Sequence, residues 1–330
     1  MTRGLPDEPT IRAALALATR APSVHNSQPW LWRVGDRTIH LDADRSRQLP
    51  QTDPEGRDLL LSCGAALHHL RVGLAALGWS CRVHRLPNPA EPDHLAAVEL
   101  SRRETAAEDV AAAAAIPRRR TDRRRYSSWH VPTSRISRLA ERAAAEGAVL
   151  EAITEPQARY RLLEAISTAA RTHEADSSYL MELAVWSGRH DSPEGVPARS
   201  ATAPTRLLDE PATRRFSDPR LAQPEGSLSE EDVSVLLVLG TASDDRMSQL
   251  RAGEATSDVL LTATQLGLAC CPLTEPLELV GTRELVRTEV LGDGSYPQMI
   301  VRVGWAAVNA DPLPATPRRP LADVVHGLAD

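Results

Sequence analysis

Ala21-Pro22-Ser23-Val24-His25-Asn26-Ser27-Gln28-Pro29-Trp30 is the stretch on which the reading of this chain turns. Pro22 and Pro29 bracket it, and each proline fixes its own φ and restricts the residue before it, so the segment reads as a rigid turn. Between the prolines stand serine, asparagine and glutamine, neutral donors and acceptors suited to the edge of a heteroaromatic ring. An ordinary Asx or Ser turn leading into a strand would use the same residue types. The turn therefore takes its meaning from what the rest of the chain brings to it.

Before it, Pro9-Thr10 opens a helical apolar pattern over about 9–20. After it come short strands around Trp30–Val34 and Ile39–Leu41, then a strongly apolar helix over about 57–77, stopped by Gly78. Strand-like segments at Cys81–Leu86 and near 96–100 follow, and the alanine-rich stretch Ala106–Ile116 is closed by Pro117. Further on, the spacing predicts helices over about 133–147, 156–187 and 246–266, with strands at Val233–Leu239 and Met299–Val303. Between about 188 and 228, Pro193, Pro197, Pro204, Pro211, Pro219 and Pro224 mark a long irregular excursion of the kind used as a lid.

One internal match organises these elements. Arg57, Leu61, Gly64, Gly78 and Cys81 align without a gap on Arg246, Leu250, Gly253, Gly267 and Cys270, at a constant offset of 189 (253 − 64 = 189; 270 − 81 = 189). Two glycine-terminated helices can match by chance, but the better reading is an ancestral duplication. It predicts two similar halves, residues 1–116 and 117–330, packed as the subunits of a homodimer would pack, with a cleft between them.

Composition narrows the chemistry. At 330 residues, 42% hydrophobic and 25% charged, the chain has the balance of a soluble globular protein. No apolar run approaches the roughly 18 residues that span a bilayer, and Met1–Glu8 has no apolar core behind its arginine, so a cytoplasmic protein is expected. The cysteines Cys63, Cys81, Cys270 and Cys271 read as small core residues rather than a disulfide framework. There is no lysine: all 38 basic residues are arginine. Schiff-base chemistry, a lysine general base and the P-loop lysine are excluded together, and any phosphate must be held by arginine forks, backbone N–H groups or helix N-termini.

Three further segments supply candidates. Arg118-Arg119-Arg120-Thr121-Asp122-Arg123-Arg124-Arg125-Tyr126 is strongly basic in a chain of net charge −6, and needs an anionic partner or a solvated face. RNA is one anion that fits, but almost no aromatics stand nearby for base stacking. Thr316-Pro317-Arg318-Arg319-Pro320-Leu321 is a second cationic segment near the C-terminus, and Leu266-Gly267-Leu268-Ala269-Cys270-Cys271-Pro272-Leu273-Thr274 reads by itself as a buried helix end. No G-x-G-x-x-G, H-E-x-x-H, C-x-x-C or G-x-S-x-G occurs. His68 and His69 are about 100° apart on a helix and cannot easily share an ion, so no metal site is expected.

The opening turn resembles the A-P-S-x-x-N-x-Q-P-W motif of the nitroreductase superfamily, and the other segments fall in with it. Arg119-x-Thr121-x-Arg123, closed by Tyr126, resembles that family's R-x-S/T-x-R phosphate motif, although it opens the second half here and has one extra residue before the aromatic. Arg318 and Arg319 resemble the family's C-terminal K/R-P-R segment, and Pro272 follows its A-x-G-L-x-x-x-P pattern. The resemblance spans residues 22 to 319. It implies an α+β nitroreductase-like fold with one FMN: Pro22, Ser23 and Asn26 at the ring, Arg119, Thr121, Arg123, Arg318 and Arg319 toward the phosphate, and Pro272, Leu273 and Thr274 at the N5 edge. The motif order is similar to the Acg-type branch, in which one chain holds both pseudo-subunits, one functional flavin site and a lid. That likeness implies a flavin-dependent oxidoreductase using hydride transfer at N5, with NADH or NADPH as a candidate donor, no named catalytic side chain, no nucleic-acid or membrane partner, and a single pseudo-dimeric chain. The alternative is an FMN-sequestering protein whose lid excludes electron donors.

Overall fold

The computed structural model describes residues 6–189, 192–203, 211, 213–229 and 231–327. In the first half, helix α1 (Glu8–Ala18) starts where the Asp7 carboxylate accepts the Thr10 N–H at 3.1 Å. Strands β1 (Trp30–Val34) and β2 (Thr38–Ala43) follow, then helix α2 (Arg57–Ala76), strands β3 (Trp79–Arg85) and β4 (His94–Arg102), and helix α3 (Ala107–Ala115). The second half runs through α4 (Thr133–Ala145), β5 (Val149–Ala152), α5 (Pro156–Ala175), α6 (Ser177–Trp186), the short strands β6 (Ser187–Arg189) and β7 (Val196–Pro197), and β8 (Val235–Thr241). It closes with α7 (Arg246–Gln265), β9 (Ala269–Leu273), the short helices α8 (Glu275–Glu278) and α9 (Val280–Leu285), β10 (Tyr296–Gly304) and β11 (Val325–Gly327).

Two sheets result. The first has the order β11-β1-β2-β4-β3 and the second β5-β8-β10-β9. In β2 burial alternates strictly, as in a sheet with one wet face, whereas six of the seven residues of β8 are buried because helices cover both faces of the second sheet. β11 lies parallel to β1, so the C-terminal arm leaves the second sheet and returns to the first.

The halves meet where α2 crosses α7. A Cβ added at Gly64 would fall 2.0 Å from the Leu250 carbonyl oxygen, and one added at Gly253 would fall 2.1 Å from that of Leu61. Since 253 − 64 and 250 − 61 both equal 189, the contact is reciprocal, as an isologous two-fold interface requires. Leu250 of α7 sits in the core of the first half, and Leu61 of α2 in that of the second. With 20 residues, α2 meets the length and apolarity of a membrane span, which the run-by-run reading did not anticipate; its side chains are spent on this core instead.

Other differences from the sequence reading are local. The helix expected over 156–187 breaks at Asp176, whose carboxylate caps α6 by accepting the Ser178 and Tyr179 N–H groups. Strands β5, β9 and β11 are too short to give a periodic signal. Part of the 188–228 excursion, at 190–191, 204–210 and 212, lies outside the described residues.

Gly64→Ala is expected to destabilise the protein by about 2–3 kcal/mol, because the added methyl overpacks backbone against backbone. Urea unfolding measures this, and an unchanged midpoint would contradict the close crossing.

Candidate functional site

The turn after α1 is held under strain. His25, Asn26 and Gln28 take φ of 47°, 55° and 53°, left-handed values uncommon for residues with a side chain. The surroundings fix it from several sides. Ser23 Oγ accepts the Gln28 N–H at 3.0 Å, and the Val24 N–H donates to Ser62 Oγ of α2 at 3.3 Å. Asn26 Nδ2 donates to the carbonyls of Gly195 (3.1 Å) and Pro317 (3.3 Å). Gln28 Nε2 donates to the Pro193 carbonyl at 2.8 Å, while its Oε1 accepts the Arg319 N–H at 2.9 Å. Asn26 and Gln28 thus clasp the 192–197 segment and the C-terminal arm against the turn.

A long cleft opens beside this turn. Its larger part, about 980 Å³ including the open mouth, is mostly apolar: Leu61, Ala65, Ile166, Leu260, Leu273, Met299 and Phe216 line it, with Asp58, Thr256 and Glu275 among the polar residues. The smaller part, about 560 Å³, is lined by Arg119, Arg120, Ser200, Thr316 and Arg318. Pro22, Ser23, His25, Thr121 and Arg123 line both parts, so the two are continuous. Walls come from both halves of the chain.

The cationic end is unbalanced. Arg119 is only 7% exposed, and its Nε and Nη1 have no hydrogen-bond partner among the described residues. Burial, then the charges of Arg120 and Arg20, press its pKa down to about 10; burial, Arg119, Arg20 and Arg120 press Arg318 to about 9. Guanidinium groups hold their protons more firmly than that, so the strain registers as a demand for an anion rather than as neutral arginine. An unpaired buried charge is costly until one arrives. Arg318 itself donates to the carbonyls of Thr19, Arg20 and Ala21 at 3.0 Å each, which ties the C-terminal arm to the end of α1. Arg120 likewise donates to backbone carbonyls.

The structure brings Pro22, Ser23, Thr121, Arg123, Pro272, Leu273 and Thr274 to the ring-sized part of the cleft, and Asn26, Arg119 and Arg318 to the cationic part. Asn26 faces the cationic end rather than the wider one because its amide is committed to the clasp. Arg319 lines neither part; it pairs with Asp44 at 3.5 Å and donates to Gln28 and Asp323. The rest of the basic run is structural: Arg124 pairs with Asp122 at 2.8 Å, and Arg125 donates to the Ser227 carbonyl. The run is therefore divided among separate tasks rather than spread over one solvated face.

Sequence reading expected a lid over 188–228 but did not single out Thr213 or Arg214 within it. Thr213, Arg214 and Phe216 line the wider cavity from the proline-rich excursion. Phe216 meets His25 edge-on, with centroids 5.9 Å apart, and carries the Arg123 guanidinium 4.7 Å over its ring. Arg214 donates to Tyr179 Oη at 2.7 Å, Thr274 Oγ1 at 3.1 Å and His25 Nε2 at 3.2 Å, and also to Glu278. Burial, then Arg214, Arg123 and His173, hold His25 far below the usual imidazole range, so it is neutral and its Nε2 accepts. The only phenylalanine of the chain marks this stretch in the sequence, whereas nothing in the sequence marks Arg214 among the many arginines.

Positions offset by 189 from the lining of the wider cavity carry paired charges. Residues 189 positions before Thr256 and Leu260 are Leu67 and Arg71, and those 189 after Leu61 and Ala65 are Leu250 and Glu254. Arg71 pairs with Glu254 at 3.0 Å and with Glu146 at 2.7 Å, and Arg85 closes on Glu254 at 2.6 Å. Beside them His68, Glu146 and Asp258 bring ligand atoms within 4.8 Å of one another. Arg71 and Arg142 already neutralise those carboxylates, and a cation would meet their charge.

The cleft fits an amphiphile with a flat apolar ring at one end and a phosphate at the other, and FMN has that form. The partnerless Arg119 atoms are the observation that demands the phosphate. Arg119→Met is therefore expected to leave the ligand-free protein as stable as the wild type or more so, while weakening FMN binding ~10–100-fold. Thermal melts with and without FMN measure both signs at once. A variant less stable in both states would contradict the assignment.

No family model matches the chain. Among curated proteins, it is 51% identical over 326 residues to a Mycobacterium tuberculosis protein carried under the provisional name NAD(P)H nitroreductase Rv3131, covering 99% of this chain and 94% of that one. It is 40% identical over 324 residues to the M. tuberculosis protein acg, provisionally named an NAD(P)H nitroreductase, covering 96% and 95%. Among solved structures, a provisionally named nitroreductase of Anabaena variabilis aligns over 92% of this chain and 90% of its own, with a TM-score of 0.51 at 11% identity.

Proposed function

This chain belongs to the nitroreductase family, alongside Acg, and on that premise we propose that it is an FMN-dependent oxidoreductase with one flavin site. The observation that carries the reading is the continuous cleft, apolar at one end and closed at the other by a buried arginine whose Nε and Nη1 have no hydrogen-bond partner among the described residues. Bound FMN would supply two-electron hydride chemistry at its N5.

The chain's own part is binding, orientation and exclusion of water. Arg119 would receive the phosphate, with Arg318 adding charge while it anchors the arm. Pro22 and Ser23 would lie against one side of the ligand, placed by the strained turn, and the Pro272–Thr274 backbone against the ring edge. Arg123 is half-buried with a hydrogen bond to the Ser200 carbonyl at 2.8 Å and no carboxylate partner among the described residues, so it brings positive charge to where a reduced ring would gather negative charge. Pairing of the duplicated positions Arg71 and Glu254 supports a single site per chain. The reciprocal helix crossing supports a duplicated origin for the halves, and one chain supplies every wall.

The excursion acts as a lid in this reading. Thr213–Phe216 roofs the ring cavity, and Arg214 pins it to Tyr179, Thr274 and Glu278. The names of the relatives favour a nicotinamide donor, which would require the pin to release. That same pin favours the second reading, an FMN-sequestering protein. Anaerobic mixing with NADH or NADPH separates the two: bleaching of the flavin absorption is expected of the oxidoreductase, and lasting colour would assign sequestration. Arg214→Ala is expected to bleach ~10-fold faster than the wild type, and equal rates would mean that Arg214 does not gate the cavity.

A further inference from the structure

Asp58, in the first turn of α2, stands in the wall between two cavities. One is the ring cavity; the other, about 260 Å³, is lined by Thr52, Asp53, Glu55, Arg283 and Gln298 and has the exposed Glu55 at its rim. Asp58 is only 7% exposed, and its Oδ2 is buried with no hydrogen-bond partner among the described residues.

The charges around it are already committed. Asp53, in the loop before α2, accepts the Leu59 N–H at 2.8 Å and the N–H groups of Arg57 and Asp58, so the helix N-terminus has its anion there. Glu278 of α8 adds a second negative charge. Arg57, on the same helix as Asp58, is bonded to Asp244, the Pro297 carbonyl and Gln298, and Arg214 of the lid to Glu278, Tyr179 and Thr274. Burial, then Asp53 and Glu278, therefore raise Asp58 well above the usual carboxylate range, against the pull of Arg214 and Arg57. Glu275 lines the same ring cavity under the opposite influence. Against its burial, Arg214 and His173 hold it below the usual range. Two carboxyl groups on one cavity, pushed apart in this way, separate an acid from a permanent anion.

We propose that Asp58 is the proton donor to acceptors reduced in the ring cavity, and that it is reprotonated from water through the side cavity. The proposal rests on the oxidoreductase reading above. The acceptor class is a planar conjugated one with a reducible oxygen, a quinone being the simplest, since the ring cavity that the acid borders is mostly apolar. Two electrons and one hydrogen arrive from the reduced flavin. The Asp58 O–H bond breaks, a new O–H bond forms on the acceptor oxygen, and the carboxylate left behind takes a proton from water. The acid form does the work, so the rate is present below the pKa of Asp58 and lost as pH rises through it.

The test uses full-length holoprotein, photoreduced without air and mixed with p-benzoquinone, so no nicotinamide donor is needed. Asp58→Asn is expected to slow flavin reoxidation ~100-fold at pH 7, to abolish the fall in rate at high pH, and to remove the solvent deuterium isotope effect. Infrared spectra of protein labelled with carbon-13 aspartate are expected to show a protonated carboxyl at neutral pH that Asp58→Asn removes and Asp258→Asn leaves. Wild-type rates and pH profile in the variant, or no such band, would overturn the proposal. Because it holds Asp58 neutral, the exchange to asparagine should keep fold and flavin, so a variant that loses either also counts against it. A colourless wild type would instead sink the oxidoreductase reading, and the infrared band would still decide the protonation state of Asp58.

Discussion

Two glycines facing each other across a helix crossing set the geometry of everything else. Gly64 and Gly253 let α2 and α7 approach to backbone contact, and a side chain on either would force them apart. The approach does more than join two cores. It presents Asp58, Leu61, Ser62 and Ala65 from one helix and Thr256 and Leu260 from the other as walls of a single cleft. Small residues at the crossing and a cavity beside it are one design, since backbone contact at one point leaves space where the helices diverge.

The strained turn is the second half of that design. Three left-handed side-chain-bearing residues in four positions cost free energy, and they persist because three separate parts of the chain hold them. Ser62 grips the turn from below, the 192–197 segment from above, and the C-terminal arm from the side. The return of β11 to the first sheet makes sense in this light. It brings Arg318 and Arg319 to the turn, where one braces the end of α1 and the other the Gln28 side chain. The turn, the 192–197 segment and the arm form one polar assembly around the cationic end.

How much of this could be read from the sequence depends on what each feature rests upon. The long helices α2 and α7, their glycine stops and the 189-residue offset were legible because packing repeats along them. The Arg119 segment was legible as a cationic device, but not its division of labour: nothing in a run of arginines distinguishes Arg119, whose Nε and Nη1 find no partner among the described residues, from Arg124, paired with Asp122. Arg319 and Asn26 stand in motifs whose spacing fits a ligand, yet their bonds go to the turn and the arm, since spacing does not encode which way a side chain faces. Asp58 was invisible because an aspartate in a first helical turn looks like an ordinary charge at a helix N-terminus. Only the prior claim of Asp53 on those N–H groups, and the burial of both, sets it apart.

The central claim is that one cleft, built by both halves, holds one phosphorylated flavin, and that the duplicate position is closed by the Arg71–Glu254 pair. Denaturing the purified protein, identifying the released ligand by mass and counting it against protein by absorbance measures this most directly. The account predicts FMN at one per chain. No flavin, or two per chain, would contradict it.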